Sequence, residues 1–365
     1  MSPRPLSAVV LAAGEGTRMR SARPKPLHLL CGRPMVLHVL DALSELDLDR
    51  AVVVVGHGAD RVQKRLLEQA PAGMEIEFVE QAVQRGTGDA VAVALTAFSD
   101  VDDEDGDLLV LPGDTPLLRP STLAALVDAH RQSDAAATLL TAVLDEPAGY
   151  GRVVRGKDER VRRVVEHGDA SDDEREIDEV NTSIYCFRRG VLAPALRRLS
   201  PENAQGEYYL TDVIEVLYDA GYNLVSMVAA DPMETAGVND RAQLAAAEAE
   251  LRDRTNDRWM LLGVTMLDPE RTYIDASVRL SRDVTLFPGT VLQGDTVVGT
   301  GAEIGPDTRL IDCVVGDGAI VEHSVARRSD IGAGAHVGPF AALAAGTKVP
   351  PGTVTGPFFG AEAED

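Results

Sequence analysis

The sequence predicts an α/β domain with a mostly parallel sheet, followed by a short parallel β-helix. Two observations predict it. From Ala8 to about Met266, apolar runs of strand length alternate with helical stretches, the grammar of parallel strands joined by crossover helices. Beyond that point single aliphatic residues recur every six positions, the mark of a solenoid in which three hexads make one coil.

The elements follow in order. Ser7–Ala12, Ala51–Val55, Glu75–Val79, Leu108–Leu111 and Ala137–Val143 read as strands. Met35–Leu46, Arg61–Gln69, Gly88–Ala97 and Ser121–Ser133 read as the helices between them. Residues 1–242 are therefore expected to form the α/β domain. An Ala-, Glu- and Arg-rich stretch, 243–262, is expected to be a connecting helix. Ile274, Leu280, Leu286, Leu292, Val298, Ile304 and Leu310 keep a strict six-residue spacing. The register slips through Asp312–Arg328 and resumes at Ile331, Val337, Leu343 and Val349. Residues 263–355 are thus expected to form about four coils, and 356–365 an acidic tail.

Composition narrows the function. At 365 residues there is room for two hydrophobic cores. A net charge of -23 argues against nucleic acid or an anionic membrane as partner, since both demand a basic footprint. The acidic excess, of which Asp100–Asp107 is an example, is expected to be solvated surface. No apolar run is long enough to span a bilayer. Cys31, Cys186 and Cys313 match no metal-ligand spacing and are expected to be buried reduced thiols of a cytoplasmic protein.

Against that acidity, "GEGTRMRSARPKPL" gathers Arg18, Arg20, Arg23 and Lys25, with no acidic residue between Gly16 and Leu40. Gly14 and Gly16 follow the first strand, where backbone N–H groups can cradle phosphate. Neither the third glycine of a dinucleotide fingerprint nor the Gly-Lys-Ser/Thr of a Walker loop is present. A plain strand-to-helix turn is the alternative for the glycines alone. Arg18 offers a bidentate fork and Lys25 a point charge, together suited to a nucleoside triphosphate. Arg20 and Arg23 read as ordinary surface cations.

Leu11-x-x-Gly14-x-Gly16-Thr17-Arg18-Met19 followed by Pro24-Lys25 resembles the sugar-1-phosphate nucleotidyltransferases. Gln81 with Gly86-Thr87-Gly88, Gly113-Asp114, Gly149-Tyr150-Gly151-Arg152, Val165-Glu166-His167, Glu179-Val180-Asn181-Thr182, Gln205-Gly206-Glu207-Tyr208-Tyr209 and Gly237-Val238-Asn239 occur in family order. They narrow the resemblance to the bacterial N-acetylglucosamine-1-phosphate uridylyltransferase/glucosamine-1-phosphate acetyltransferase family. The resemblance implies a Rossmann-like nucleotidyltransferase domain and a left-handed β-helix. It also implies Mg²⁺ as cofactor, UTP and a sugar-1-phosphate as substrates, and a homotrimer assembled through the β-helix. Asp114 and Asn239 would hold the metal, and Arg18, Lys25 and Asp114 would act in catalysis. Leu11, Ala13, Gly14, Gln81, Gly86 and Thr87 would bind the nucleotide. Gly151, Glu166 and Asn181 would hold the sugar, with Tyr208, Tyr209 and Asp212 bracing its wall.

The chain departs from this family in two places. Pro112, Val83 and Asp89 alter residues around the expected base site and leave thymidine, or another sugar-1-phosphate, as alternatives. After Gly338-Pro339-Phe340 come alanines where the family carries an arginine, and no histidine follows His336. His323 and His336 are expected to be solvated, and acetyltransferase activity to be absent. A catalytically idle binding or assembly subunit is a further alternative, against which stand Arg18, Lys25, Asp114 and Asn239.

Overall fold

The computed structural model describes residues 4–98 and 106–361. By contacts the chain divides into two units, residues 1–28 with 34–244, and residues 29–33 with 245–365.

The first unit is built on a nine-stranded sheet. Its strands are β1 (Leu6–Ala12), β2 (Arg50–Val55), β3 (Ile76–Glu80), β4 (Asp107–Pro112), β5 (Ala137–Val143), β6 (Arg152–Arg155), β7 (Val161–Val165), β8 (Glu179–Arg188) and β9 (Leu224–Val228). The order is β9-β5-β8-β4-β1-β2-β3, with β6 and β7 added as a ribbon beside β8. β1 runs parallel to both β2 and β4, whereas β8 is antiparallel to β4 and β5. Besides a single turn at Asp172–Arg175, the helices are α1 (Met35–Ser44), α2 (Ala59–Gln69), α3 (Thr87–Ala94), α4 (Pro120–Gln132), α5 (Arg189–Leu196) and α6 (Asp212–Asp219).

Continuous apolar strands are what a sheet covered on both faces requires. Successive residues of β1 accordingly enter different cores. Ala8 and Val10 pack with Leu37 of α1, Leu66 of α2 and Leu126 of α4. Val9 packs with Val91 of α3, Leu192 of α5 and Ile214 of α6. The five expected strands are present with shifts of a residue or two at their ends. Gly88–Ala97 divides into α3 and a 3₁₀ turn at Leu95–Ala97.

One expectation fails outright. Asp107 is not solvated: it opens β4 with a fully buried side chain, ion-paired to Arg131 at 2.8 Å and Arg4 at 3.0 Å. Two guanidinium groups make that burial affordable by neutralising the carboxylate. The rest of the acidic run, residues 100–105, lies outside the described residues.

In the second unit, short parallel strands form three sheets of five, six and five strands, the coils expected from the hexads and consistent with the left-handed β-helix that the resemblance implied. Leu286 pairs with Ile304 and Leu292 with Leu310, one coil of 18 residues apart. The slip through 312–328 is not a gap. Leu310, Val315, Val321, Ala326 and Ile331 all stay at most 2% exposed in one continuous core. Three steps simply shorten from six residues to five. Each contains a left-handed residue, Asp312, His323 or Arg328, with φ of 53°, 45° and 44°. The stack consequently has five to six rungs per face rather than four coils.

It also reaches past 355. Gly360–Ala361 pairs with Ala342–Leu343, so part of the expected tail is a strand; residues 362–365 lie outside the described residues. Helix α7 (Arg241–Leu261) covers the expected connector. From Ala245 it belongs to the second unit, where Asn256 donates to the carbonyls of Pro269 and Thr272 at 2.8 and 3.0 Å. His323 stacks on Phe340 and His336 lies 3.2 Å from Glu322, so neither is merely solvated.

Candidate active site

The loops that follow β1, β3 and β4 leave the same edge of the sheet, the carboxyl ends of parallel strands, where such folds bind ligands. They line a cleft of about 520 Å³ in the first unit. Every residue expected to act in catalysis, hold the metal or bind substrate lies on its wall: Leu11, Ala13, Gly14, Arg18, Lys25, Gln81, Gly86, Thr87, Asp114, Gly151, Glu166, Asn181 and Asn239; Tyr208, Tyr209 and Asp212 do not line it. Arg20 and Arg23 are exposed and do not line it. Val83 is 59% exposed and outside the lining, whereas Pro112 is part of it.

One end of the cleft is a charge cluster. Lys25 Nζ donates to Asp114 Oδ2 and, at 2.8 Å, to Asn239 Oδ1. Arg18 donates to the same Asn239 oxygen at 2.9 Å. The backbone sets this up. Val238 N–H donates to the Asp114 carbonyl at 2.8 Å, and Gln243 accepts from the Asn239 amide at 2.7 Å. Gly16, at φ 64°, lies where a Cβ would meet Lys25 Cβ at 2.6 Å. Only glycine lets that loop pass the lysine stem.

These residues fit a divalent cation. Asp114 Oδ2 and Asn239 Oδ1 are hard oxygens that already converge on one cationic nitrogen, and Mg²⁺ uses few protein ligands.

The middle of the cleft carries Gln81 and the N-terminus of α3. Gly86 has φ 108°, and a Cβ there would strike the Tyr208 carbonyl at 2.6 Å. The Thr87 hydroxyl accepts from the Leu210 amide at 3.0 Å, which ties this loop to the chain after Tyr209. Tyr208 braces the same loop, not the sugar wall: its backbone exchanges bonds with Arg85 and Gly88 at 2.7 and 2.8 Å.

At the far end stand Glu166 and Asn181. Asn181 is 4% exposed; its Nδ2 donates to Tyr185 Oη at 2.7 Å, while its Oδ1 has no partner among the described residues. An unpaired buried acceptor on a cleft wall is costly until a ligand donor reaches it. Glu166 accepts from Thr211 at 3.0 Å, and burial pushes its carboxyl above the usual range. Burial, with Glu166 nearby, raises Asp212 to about 6. Gln84, which donates to the Ala13 carbonyl at 2.6 Å, and Gln243 line the cleft but were not expected from the sequence. Their only local signal is a glutamine beside a glycine-rich loop and another opening a helix, which singles out neither.

A family model described as nucleotidyl transferase matches residues 7–261. The bifunctional protein GlmU of Geobacillus sp. (strain WCH70) is 46% identical over 342 residues, covering 94% of this chain and 72% of that protein. Its counterpart from Streptomyces avermitilis is 48% identical over 347 residues, with 95% and 71% covered. Among solved structures, HddC from Yersinia pseudotuberculosis aligns with a TM-score of 0.50 at 17% identity, over 67% of this chain and 99% of that one, a likeness of fold. Identity of this order across most of both partners places the chain in the nucleotidyl transferase family, among the GlmU proteins that carry N-acetylglucosamine-1-phosphate uridylyltransferase activity.

Proposed function

We propose that the cleft transfers a uridylyl group from UTP to N-acetylglucosamine-1-phosphate, with Mg²⁺ as the divalent ion, giving UDP-N-acetylglucosamine and pyrophosphate. The observation that carries the reading is the convergence of Arg18 and Lys25 on the oxygens of Asp114 and Asn239. Triphosphate oxygens would take over the two cations. That exchange would free the carboxylate and the amide oxygen to hold the metal. When bound, the ion supplies charge neutralisation and Lewis-acid polarisation of the phosphates.

The sugar phosphate is already an anionic nucleophile, so no side chain need remove a proton. Its oxygen attacks the α-phosphorus in line, a P–O bond forms, and the bond to pyrophosphate breaks. The residues contribute position and charge, as phosphoryl-type transfer generally requires. Asn181 Oδ1 suits a donor on the sugar, which the amide N–H of an N-acetyl group or a hydroxyl can supply. Glu166 suits a sugar hydroxyl.

A pyrophosphate-release panel of nucleoside triphosphates against sugar-1-phosphates tests this. Turnover is expected to be highest with UTP and N-acetylglucosamine-1-phosphate, and to need Mg²⁺. Silence throughout the panel would favour an idle subunit; a clear preference for dTTP or glucose-1-phosphate would reassign the substrate. We also propose that these residues do not acetylate glucosamine-1-phosphate, because alanines occupy positions 341, 342, 344 and 345 after the Gly-Pro-Phe turn. Acetylated product from acetyl-coenzyme A in the same assay would refute that.

Assembly as a homotrimer through the β-helix belongs to the proposal. The outward-facing Val314 and Val325, 51% and 43% exposed, are apolar surface of the kind such packing covers. Light scattering is expected to report three chains per particle, and a single-chain mass would exclude it. Free, buried cysteines suit a reducing, cytoplasmic setting. Among the described residues no helix is long and apolar enough to cross a membrane.

A further inference from the structure

The amide of Gln81 has both its N–H groups committed within the protein. Nε2 donates to the Gly86 carbonyl at 3.1 Å and to Oδ2 of Asp89 at 2.7 Å. Gln81 is 5% exposed, follows β3 directly and lines the cleft. Asp89 lies in the first turn of α3 and is not part of the cleft lining. A carbonyl and a carboxylate can only accept, so turning the amide over would set its oxygen against two acceptors. The orientation is therefore dictated by its neighbours.

We propose that Asp89 is a specificity-determining positioning residue: it locks the Gln81 amide so that Oε1 is the atom offered to the nucleobase. This rests on the reading above, in which a UTP base sits beside Gln81. An acceptor at that point matches a ring N–H donor. Uracil has one at N3, whereas cytosine presents a bare acceptor nitrogen there. Without Asp89, one Gln81 N–H loses its partner and Gly86 alone holds the amide. The reversed amide, which offers a donor, then competes, and it suits cytosine. Asp89 does not touch the nucleotide; it acts through Gln81.

The test compares kcat and KM for UTP and CTP, with N-acetylglucosamine-1-phosphate as acceptor, in the intact wild type, Asp89→Ala and Asp89→Asn. In Asp89→Ala, KM for UTP is expected to rise about tenfold while kcat changes by less than about threefold. The ratio of kcat/KM for UTP over CTP is expected to fall about tenfold, the order of discrimination one buried hydrogen bond supplies. Asp89→Asn keeps an acceptor oxygen and is expected to stay within about threefold of wild type in that ratio. Should Asp89→Ala melt well below the wild type, Asp89→Ser takes its place in the same comparison. An unchanged ratio, or an equal loss with both nucleotides as a merely structural role would produce, overturns the proposal. A wild type that turns over neither nucleotide overturns the uridylyl reading itself, and this inference with it.

Discussion

Lys25→Ala and Asp114→Ala are each expected to lower kcat by roughly two to three orders of magnitude, the usual effect of removing one preorganised charge from a reacting centre. The two should differ in detail. Lys25→Ala removes a cation aimed at the phosphates and leaves Asp114 with Asn239 as its neighbour. Asp114→Ala removes the one carboxylate of the cluster, so its activity should respond only weakly to added Mg²⁺. Neither change should unfold the protein, because the two side chains are 14% and 23% exposed and face the cleft. Steady-state kinetics with a melting curve separates the cases. Near-normal turnover in either folded variant would sink the assignment of this cluster to the chemistry.

The second large effect falls on stability. Asp107→Ala is expected to cost about 1–3 kcal/mol, because it removes the buried carboxylate that pairs the part-buried Arg4 and Arg131 and faces the buried His130 ring. Arg131, Arg4 and His130 approach Asp107 to 2.8, 3.0 and 3.5 Å, and both His130 and Asp107 have fully buried side chains. Burial by itself raises the Asp107 pKa. The close approach of His130, the hydrogen bond from Arg131 and the charge of Arg4 outweigh it and hold the carboxyl below its ordinary value. A depressed acid stabilises the fold above its unfolded pKa, near 4, and that contribution is lost as pH falls through the folded value. Urea unfolding of the wild type should therefore weaken below about pH 4. The Asp107→Ala variant should lack that part of the acid dependence. A variant as stable as the wild type at pH 7 would show that the cluster contributes nothing.

Asp107 also shows why part of this protein is opaque from sequence. In "DVDDEDGD" it is one acid among many, and local composition reads it as solvated. Its partners lie 103 residues before it, at Arg4, and 24 after it, at Arg131, and only the β1–β4 pairing brings the first of them alongside. The site behaves in the same way. Lys25 and Asp114 are 89 residues apart and Lys25 and Asn239 are 214 apart, so their contact has no local signature. The glycines after strands marked where the backbone turns at the carboxyl edge, but Glu166, Asn181 and Asn239 were named only through the family resemblance carried by the ordered set of loop motifs. Gln84, Gln243 and the role of Asp89 were not legible, since each acts by a hydrogen bond to a residue that fixes another.

The amino-acid order by itself determined the two architectures, for two physical reasons. Unbroken apolar strands have to be covered on both faces, and an aliphatic residue every six positions has to point into a three-sided prism. It determined the basic loop too, because charge and glycine spacing are local properties. Only the tertiary structure decided what those charges meet: that Lys25 and Arg18 rest on Asp114 and Asn239, that Asn181 keeps an unsatisfied oxygen, and that three shortened corners carry the β-helix through its apparent slip. Periodicity is written along the chain, whereas hydrogen-bond partners and burial are set by which distant segments the fold brings within about 3 Å of each other.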